Sequence, residues 1–348
     1  MNQFNYDINL NISVKDFANS LGISVQAFHK YVKENNINTK STDGKTHKIT
    51  PELARQIATK RGVIYPNKII NVHNIKGGVG KTTTVHALAV RAAALGARVL
   101  VIDLDMQANL TRSFSVNTAR KAHNTMFDVV KNYVDQNSNK VREAIIPLHE
   151  NLHIIPSSLQ IAHLDLFLIM NATKVAVQNL FKNIFAEIAG NYDFIFLDSP
   201  PALSQITSAA HMYANLVAMP IEMDLFSIDG IEYNIEHINI LKQNYDKKLD
   251  ISIFVNKYDG RPKADMEILE TLKSSNYSSN LCESYISLSS GLRTNIAGGQ
   301  TVWESTRKSP ALTGFENLLF ELTGLNLKSD ATKRFSQSSP AATADITL

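Results

Sequence analysis

The run Ile69-Ile70-Asn71-Val72-His73 leads without a break into Asn74-Ile75-Lys76-Gly77-Gly78-Val79-Gly80 and then Lys81-Thr82-Thr83-Thr84. Three glycines within four residues, set between a strand and a helix, let consecutive backbone N–H groups converge on an anion. The helix that starts near Lys81 adds the positive end of its dipole. A chain with this unit must lay a buried strand directly before a helix, the building step of an α/β layered fold. The residues beyond it agree, because short apolar runs alternate with longer amphipathic segments. Strands are predicted at Ile69 to His73, Val99 to Ile102, Leu152 to Ile155, Phe194 to Leu197, Leu216 to Met219 and Ile251 to Val255, with helices between most of them. The fold class is α/β, a doubly wound and mostly parallel sheet.

The first 65 residues read differently. Ser13 caps a helix over Val14 to Leu21, Gly22 ends it, and Ser24 caps a second helix over Val25 to Asn35. This helix, short turn, helix layout places Gln26, His29, Lys30 and Lys33 on one polar face, as in a module whose second helix enters a DNA major groove. Asp43-Gly44 between Lys40 and Lys48 is a hairpin signal, which predicts a wing with Lys45 or Lys48 on phosphates. Pro51 then opens a helix over Glu52 to Lys60. Residues 1–66 carry nine basic and five acidic side chains, whereas the remainder holds 26 and 27. That asymmetry points the first part toward a polyanion. Two readings fit it, a winged helix-turn-helix DNA-binding domain or a small helical dimerisation cap. The organisation is therefore a domain over 1–65, an α/β domain over 66–328, and a Ser/Thr/Ala-rich tail over 329–348 expected to be disordered.

The loop is a P-loop in context, although Ile75 stands where the pattern G-x-x-x-x-G-K-[ST] has its first glycine. Lys81 would reach the β and γ phosphates, Thr82 would offer its hydroxyl to Mg²⁺, and Thr83 would touch the next phosphate. Lys76-Gly77-Gly78-Val79-Gly80-Lys81-Thr82-Thr83 resembles the deviant Walker A motif of the ParA/MinD family of ATPases. The resemblance implies ATP and Mg²⁺ as cofactors. It also implies that Lys76 reaches the phosphates of a partner subunit in a nucleotide-sandwich homodimer.

The same resemblance covers two further strand ends. Val99 to Asn109 is similar to the family's Walker A′ segment, by which Asp105 positions the attacking water and Asp103 sits near the Mg²⁺ shell; Met106 stands where the family has proline. Tyr192 to Pro201 is similar to the Walker B strand, so Asp198 would bind the Mg²⁺ water shell. Phe254-Val255-Asn256-Lys257 matches the strand end whose asparagine reads adenine; a simple loop-capping asparagine is the equal alternative from the pattern alone.

Together these imply a partition-type ATPase with slow turnover, since no cis arginine finger is evident. Its ATP dimer would bind DNA without sequence preference, with Arg293 as a loosely placed candidate. Its amino-terminal module would repress its own operon, and a ParB-like centromere-binding protein would stimulate hydrolysis. Cys282 is the chain's one cysteine, which excludes a cluster-bearing reductase built on intrachain thiols. The polar tail lacks the amphipathic helix of a membrane-targeted relative, and no apolar run spans a bilayer. The chain is expected to be cytoplasmic and nucleoid-associated. A transcriptional regulator that only senses ATP would share every binding residue and stands as the alternative.

Overall fold

The apolar runs after Lys68 have no polar alternation because their strands are covered on both faces, as parallel strands flanked by helices must be. The computed structural model describes residues 8–39, 48–118, 123–136, 138–289, 291, 300–304 and 309–328. These divide into two compact units: Asn11–Tyr65 with Ala94–Gly96 and the segment from Leu325, and the rest of the chain up to Gly324.

In the smaller unit, β1 (Ile12–Ser13) leads into α1 (Val14–Ser20), and the Ser13 hydroxyl accepts from the Asp16 N–H at 3.0 Å as the helix cap. Gly22, at φ +69°, makes the turn, and Ser24 caps α2 (Val25–Glu34). The two helices lock through Phe17 and Phe28, whose rings meet edge to face at 5.9 Å. β2 (Lys48–Ile49) pairs antiparallel with β1, and Thr50 caps α3 (Pro51–Lys60). The expected hairpin tip, residues 40–47, lies outside the described residues, as does the tail over 329–348.

The larger unit is built on β3 (Lys68–Val72), β4 (Val99–Asp103), β5 (Ile146–His149), β6 (Leu152–Ile155), β7 (Phe194–Asp198), β8 (Leu216–Ile221) and β9 (Asp250–Val255). They form one sheet in the order β5-β6-β4-β7-β3-β8-β9, parallel except for β5. The helices are α4 (Lys81–Ala94), α5 (Asn109–Ser113), α6 (Met126–Gln136), α7 (Leu164–Met170), α8 (Val177–Phe185), α9 (Gln205–Tyr213), α10 (Leu225–Tyr245), α11 (Lys263–Lys273) and α12 (Pro310–Thr323). The sequence reading omitted β5. That strand is a short antiparallel edge holding Pro147 and a register shift before His149, so it lacks the continuous apolar run that marks the others.

Sheet order decides which strand ends meet. β3 lies between β7 and β8, with Val72 level with Asp198, and Asp198 is in turn level with Asp103 of β4. The loops leaving β3, β4, β7, β8 and β9 therefore leave the same, carboxyl-terminal, edge of the sheet.

α12 packs closely because Gly314 has no side chain. A Cβ there would lie 2.4 Å from the Tyr285 carbonyl oxygen. Gly314→Ala is expected to cost about 1–3 kcal/mol by overpacking. Gly190→Ala, where a Cβ meets nothing within 4 Å, is expected to be near neutral; urea denaturation of both variants checks the contrast.

Candidate functional site

The loop between β3 and α4 is anchored at its root by Asn74. The Asn74 Nδ2 donates to the Pro220 carbonyl at 2.8 Å, and its Oδ1 accepts from the Lys76 N–H at 2.9 Å. Gly78 and Gly80 take φ values of +79° and +92°, which a side chain would resist. Gly80 has a second reason to be glycine, since a Cβ there would lie 2.2 Å from Asn256 Nδ2. The resulting arch opens toward the first turn of α4, which carries Lys81, Thr82 and Thr83.

Lys81 is 7% exposed, and its ammonium donates to the carbonyls of Asn74 and Lys76 at 2.9 and 3.0 Å. Burial lowers its pKa, opposed by the charges of Asp198 and Asp105. This is a buried cation folded back on its own loop, ready to exchange carbonyl partners for anionic oxygens. Lys76, by contrast, extends to the half-buried Asp224 in the loop after β8 and pairs with its carboxylate.

Three aspartates have three different surroundings. Asp198 is 1% exposed, and neither of its carboxylate oxygens makes a hydrogen bond of ordinary geometry. Burial raises its pKa well above the usual range, the neighbouring Asp103 adds to the rise, and Thr82 and Lys81 oppose it. Asp105 is partly exposed, and its Oδ1 accepts from the Gln107 N–H at 2.9 Å. Its loop ends at Ala108, held at φ +50°, a left-handed backbone at a non-glycine residue.

Asp103, expected near the Mg²⁺ shell, lies level with Asp198 and has both carboxylate oxygens engaged. Its Oδ1 accepts from the Asp105 N–H at 3.1 Å, and its Oδ2 accepts from the Thr111 N–H and hydroxyl at 2.9 and 2.7 Å. Its carboxylate is spent on folding the turn that carries Asp105, and burial pushes its pKa up to about 6.

Asn256 directly follows β9. It is 5% exposed and donates to the Val79 carbonyl at 2.7 Å, so one of its amide protons is committed to the loop. The remaining DNA-directed residues lie in the other unit. Gln26, His29, Lys30 and Lys33 are exposed on α2, and Lys48 is exposed in β2. Lys30 is within 3.8 Å of Glu34. Arg293 lies outside the described residues. Sequence reasoning missed Asn74, Glu222, Asp224 and Lys257. A signal existed for the two acids, which follow the buried strand β8 as Asp105 follows β4.

An unpartnered buried carboxylate, a threonine hydroxyl and an N–H-lined arch are what a hydrated hard dication on a phosphate chain requires. The donor set fits Mg²⁺ on Thr82 and on water held by Asp198. Among the described residues no three His, Cys, Asp or Glu side chains form a metal cluster of their own.

A family model described as an AAA domain matches residues 67–251. The chromosome-partitioning ATPase Soj of Treponema pallidum is 31% identical over 198 residues, covering 57% of this chain and 74% of that protein. The sporulation initiation inhibitor protein Soj of Bacillus subtilis is 27% identical over 207 residues, covering 59% and 79%. A plasmid partition protein of Borrelia burgdorferi, solved bound to AMPPNP, superposes with a TM-score of 0.60 at 23% identity, covering 74% of this chain and 98% of that one.

The setting of Asp198 makes a pH-dependent prediction. Its folded pKa is raised, so the folded state holds a proton that the unfolded state has released, and stability falls as pH rises from the ordinary carboxylate range through the raised value. Asp198→Asn removes the charge. The ligand-free variant is expected to melt a few degrees above wild type at pH 8, with the gain vanishing near pH 4, where both side chains are neutral. Thermal melts across that range check the sign.

Proposed function

The chain belongs to the ParA/MinD family of P-loop ATPases, and from that membership we propose that it is a DNA-partition ATPase driven by an ATP-dependent dimer cycle. The observation that carries the reading is Lys76. The loop already has its buried phosphate lysine in Lys81, and a second lysine at the mouth, held by a half-buried ion pair, can leave its carboxylate and reach outward to a second subunit's phosphates. ATP and Mg²⁺ are the cofactors.

In this reading the N–H groups of Gly77 to Lys81 cradle the phosphates, with Thr83 alongside. Lys81 moves from the Asn74 and Lys76 carbonyls onto the β and γ oxygens. Bound Mg²⁺ neutralises charge that develops on the phosphates. Thr82 and Asp198 hold it, the latter through water. Asp105 orients a water for attack on the γ-phosphorus; the bond to the ADP oxygen breaks as the new P–O bond forms, and ADP, phosphate and a proton leave. Asp103 serves indirectly by fixing the Asp105 turn. With one carboxylate to place the water, turnover is slow and open to stimulation by a ParB-like partner.

DNA enters twice. The ATP homodimer binds duplex without sequence preference and lets go after hydrolysis, which localises the protein to the nucleoid in the cytoplasm. The amino-terminal unit is a winged helix-turn-helix domain that represses the chain's own operon. α2 reads base edges with Gln26, His29, Lys30 and Lys33, and Lys48 takes a phosphate. The capped helices, the four-residue turn and the paired β1–β2 ribbon support this assignment.

ATP turnover with and without non-specific duplex DNA tests the reading. Wild type is expected to hydrolyse ATP slowly and faster with DNA. Lys81→Ala and Asp105→Ala are each expected to fall by at least about 100-fold, and Asp105→Ala is expected to retain ATP-dependent DNA binding. Tight ATP binding with no turnover under any condition, together with ATP-altered operator affinity, would instead make the chain an ATP-sensing regulator.

A further inference from the structure

Two consecutive residues at the end of β9 turn their side chains onto the phosphate loop. Asn256 Nδ2 donates to the Val79 carbonyl at 2.7 Å, and Lys257 Nζ donates to the Gly78 carbonyl at 2.6 Å. The pair is itself braced. Asn256 Oδ1 accepts from the Lys257 N–H at 2.9 Å, and the Lys257 ammonium also contacts Glu222 Oε1, from the loop after β8, at 2.5 Å. Lys257 adopts φ +56°, so its side chain reaches the loop from a backbone conformation that non-glycine residues seldom take. Strain of this kind persists where surrounding contacts over-determine it, and it concentrates at functional positions.

Peptide geometry says what these bonds do. A trans peptide is planar, and its C=O and N–H point in opposite directions. The Gly78 carbonyl shares a plane with the Val79 N–H, and the Val79 carbonyl shares one with the Gly80 N–H. Holding both carbonyls toward β9 therefore turns both N–H groups away from it, into the concave side of the arch. Nothing in the loop itself would enforce this. Val79 is flanked by Gly78 and Gly80, whose freedom at positive φ lets either plane flip and present a carbonyl oxygen, the repulsive end, to an anion.

We propose that Asn256 and Lys257, with Lys257 braced by Glu222, are positioning residues that aim the Val79 and Gly80 N–H groups at the nucleotide phosphates. The pair also explains why Gly80 tolerates no Cβ, since the amide that orients the loop occupies that space. This inference rests on the reading of the loop as a nucleotide site.

Calorimetric titration of the full chain with ATP, ADP and GTP in Mg²⁺ tests it, using wild type, Lys257→Met, Lys257→Arg, Asn256→Ala and Glu222→Gln. Lys257→Met and Asn256→Ala are each expected to weaken ATP and ADP alike, by about tenfold, the scale of one charge-assisted or buried hydrogen bond. The ATP to GTP preference is expected to stay at the wild-type ratio, Lys257→Arg to recover most of the loss, and Glu222→Gln to fall between. Ligand-free melting points within a few degrees of wild type show that the fold is intact. Wild-type affinities in Lys257→Met, or an Asn256→Ala variant that loses only its preference for adenine, would overturn the proposal while leaving the ATPase reading in place. A wild-type chain that binds neither ATP nor ADP would overturn both.

Discussion

A buried ammonium and a buried carboxylate that offset one another set the terms for this site. Lys81 is drawn out of water by the helix it begins and Asp198 by the strand it ends, and sheet order makes them neighbours because β3 lies beside β7. Burial pulls the pKa of Lys81 down and that of Asp198 up, and each charge moderates the shift of the other. Removing Lys81 would leave Asp198 buried without the cation that moderates its shift. The loop carbonyls on the ammonium follow from the same need, as does the tie from Asn74 to β8 that holds those carbonyls in place. Asp198 receives no equivalent set of donors.

Much of this was readable from local pattern. The parallel strands appear as apolar runs because both faces are covered, and all six that the sequence predicts are present within one or two residues at their ends. Ser13 and Ser24 declare two helix starts, and both side chains accept the N–H that the rule demands. The glycines of the loop are legible because positive φ has few alternatives. What escaped was set by pairing in space. β5 is held as an edge strand by β6 and carries a proline, so it lacks a signature of its own. Asp103 looks like a second metal ligand in sequence, yet Thr111, eight residues on, takes up one of its oxygens, and only the fold of α5 brings that threonine back.

The partners of the phosphate loop are harder still to read, because they lie far along the chain. Asp224 is 148 residues from Lys76, and Asn256 is 177 from Val79. In each case the acid or amide follows an apolar strand in the manner of a turn residue, and its type alone is compatible with a plain cap. The sheet order β7-β3-β8-β9 converts those turn residues into neighbours of one loop. Sequence pattern locates a strand end; strand order decides which other strand end it meets.

The loop after β8 supplies both carboxylates that hold lysines at the phosphate loop. Glu222 braces Lys257, whose ammonium is also tied to the Gly78 carbonyl, so that ion pair is one side of a fixed frame. Asp224 pairs with Lys76 where each side chain keeps about a third of its surface in water, 31% and 34%. The Lys257–Glu222 pair is similarly exposed, at 27% and 30%. In the proposed cycle a phosphate chain would offer Lys76 more charge than one carboxylate and more oxygens to contact. The two lysines therefore divide the work. Lys257 is tied to the Gly78 carbonyl and Glu222, and Lys76 pairs with Asp224.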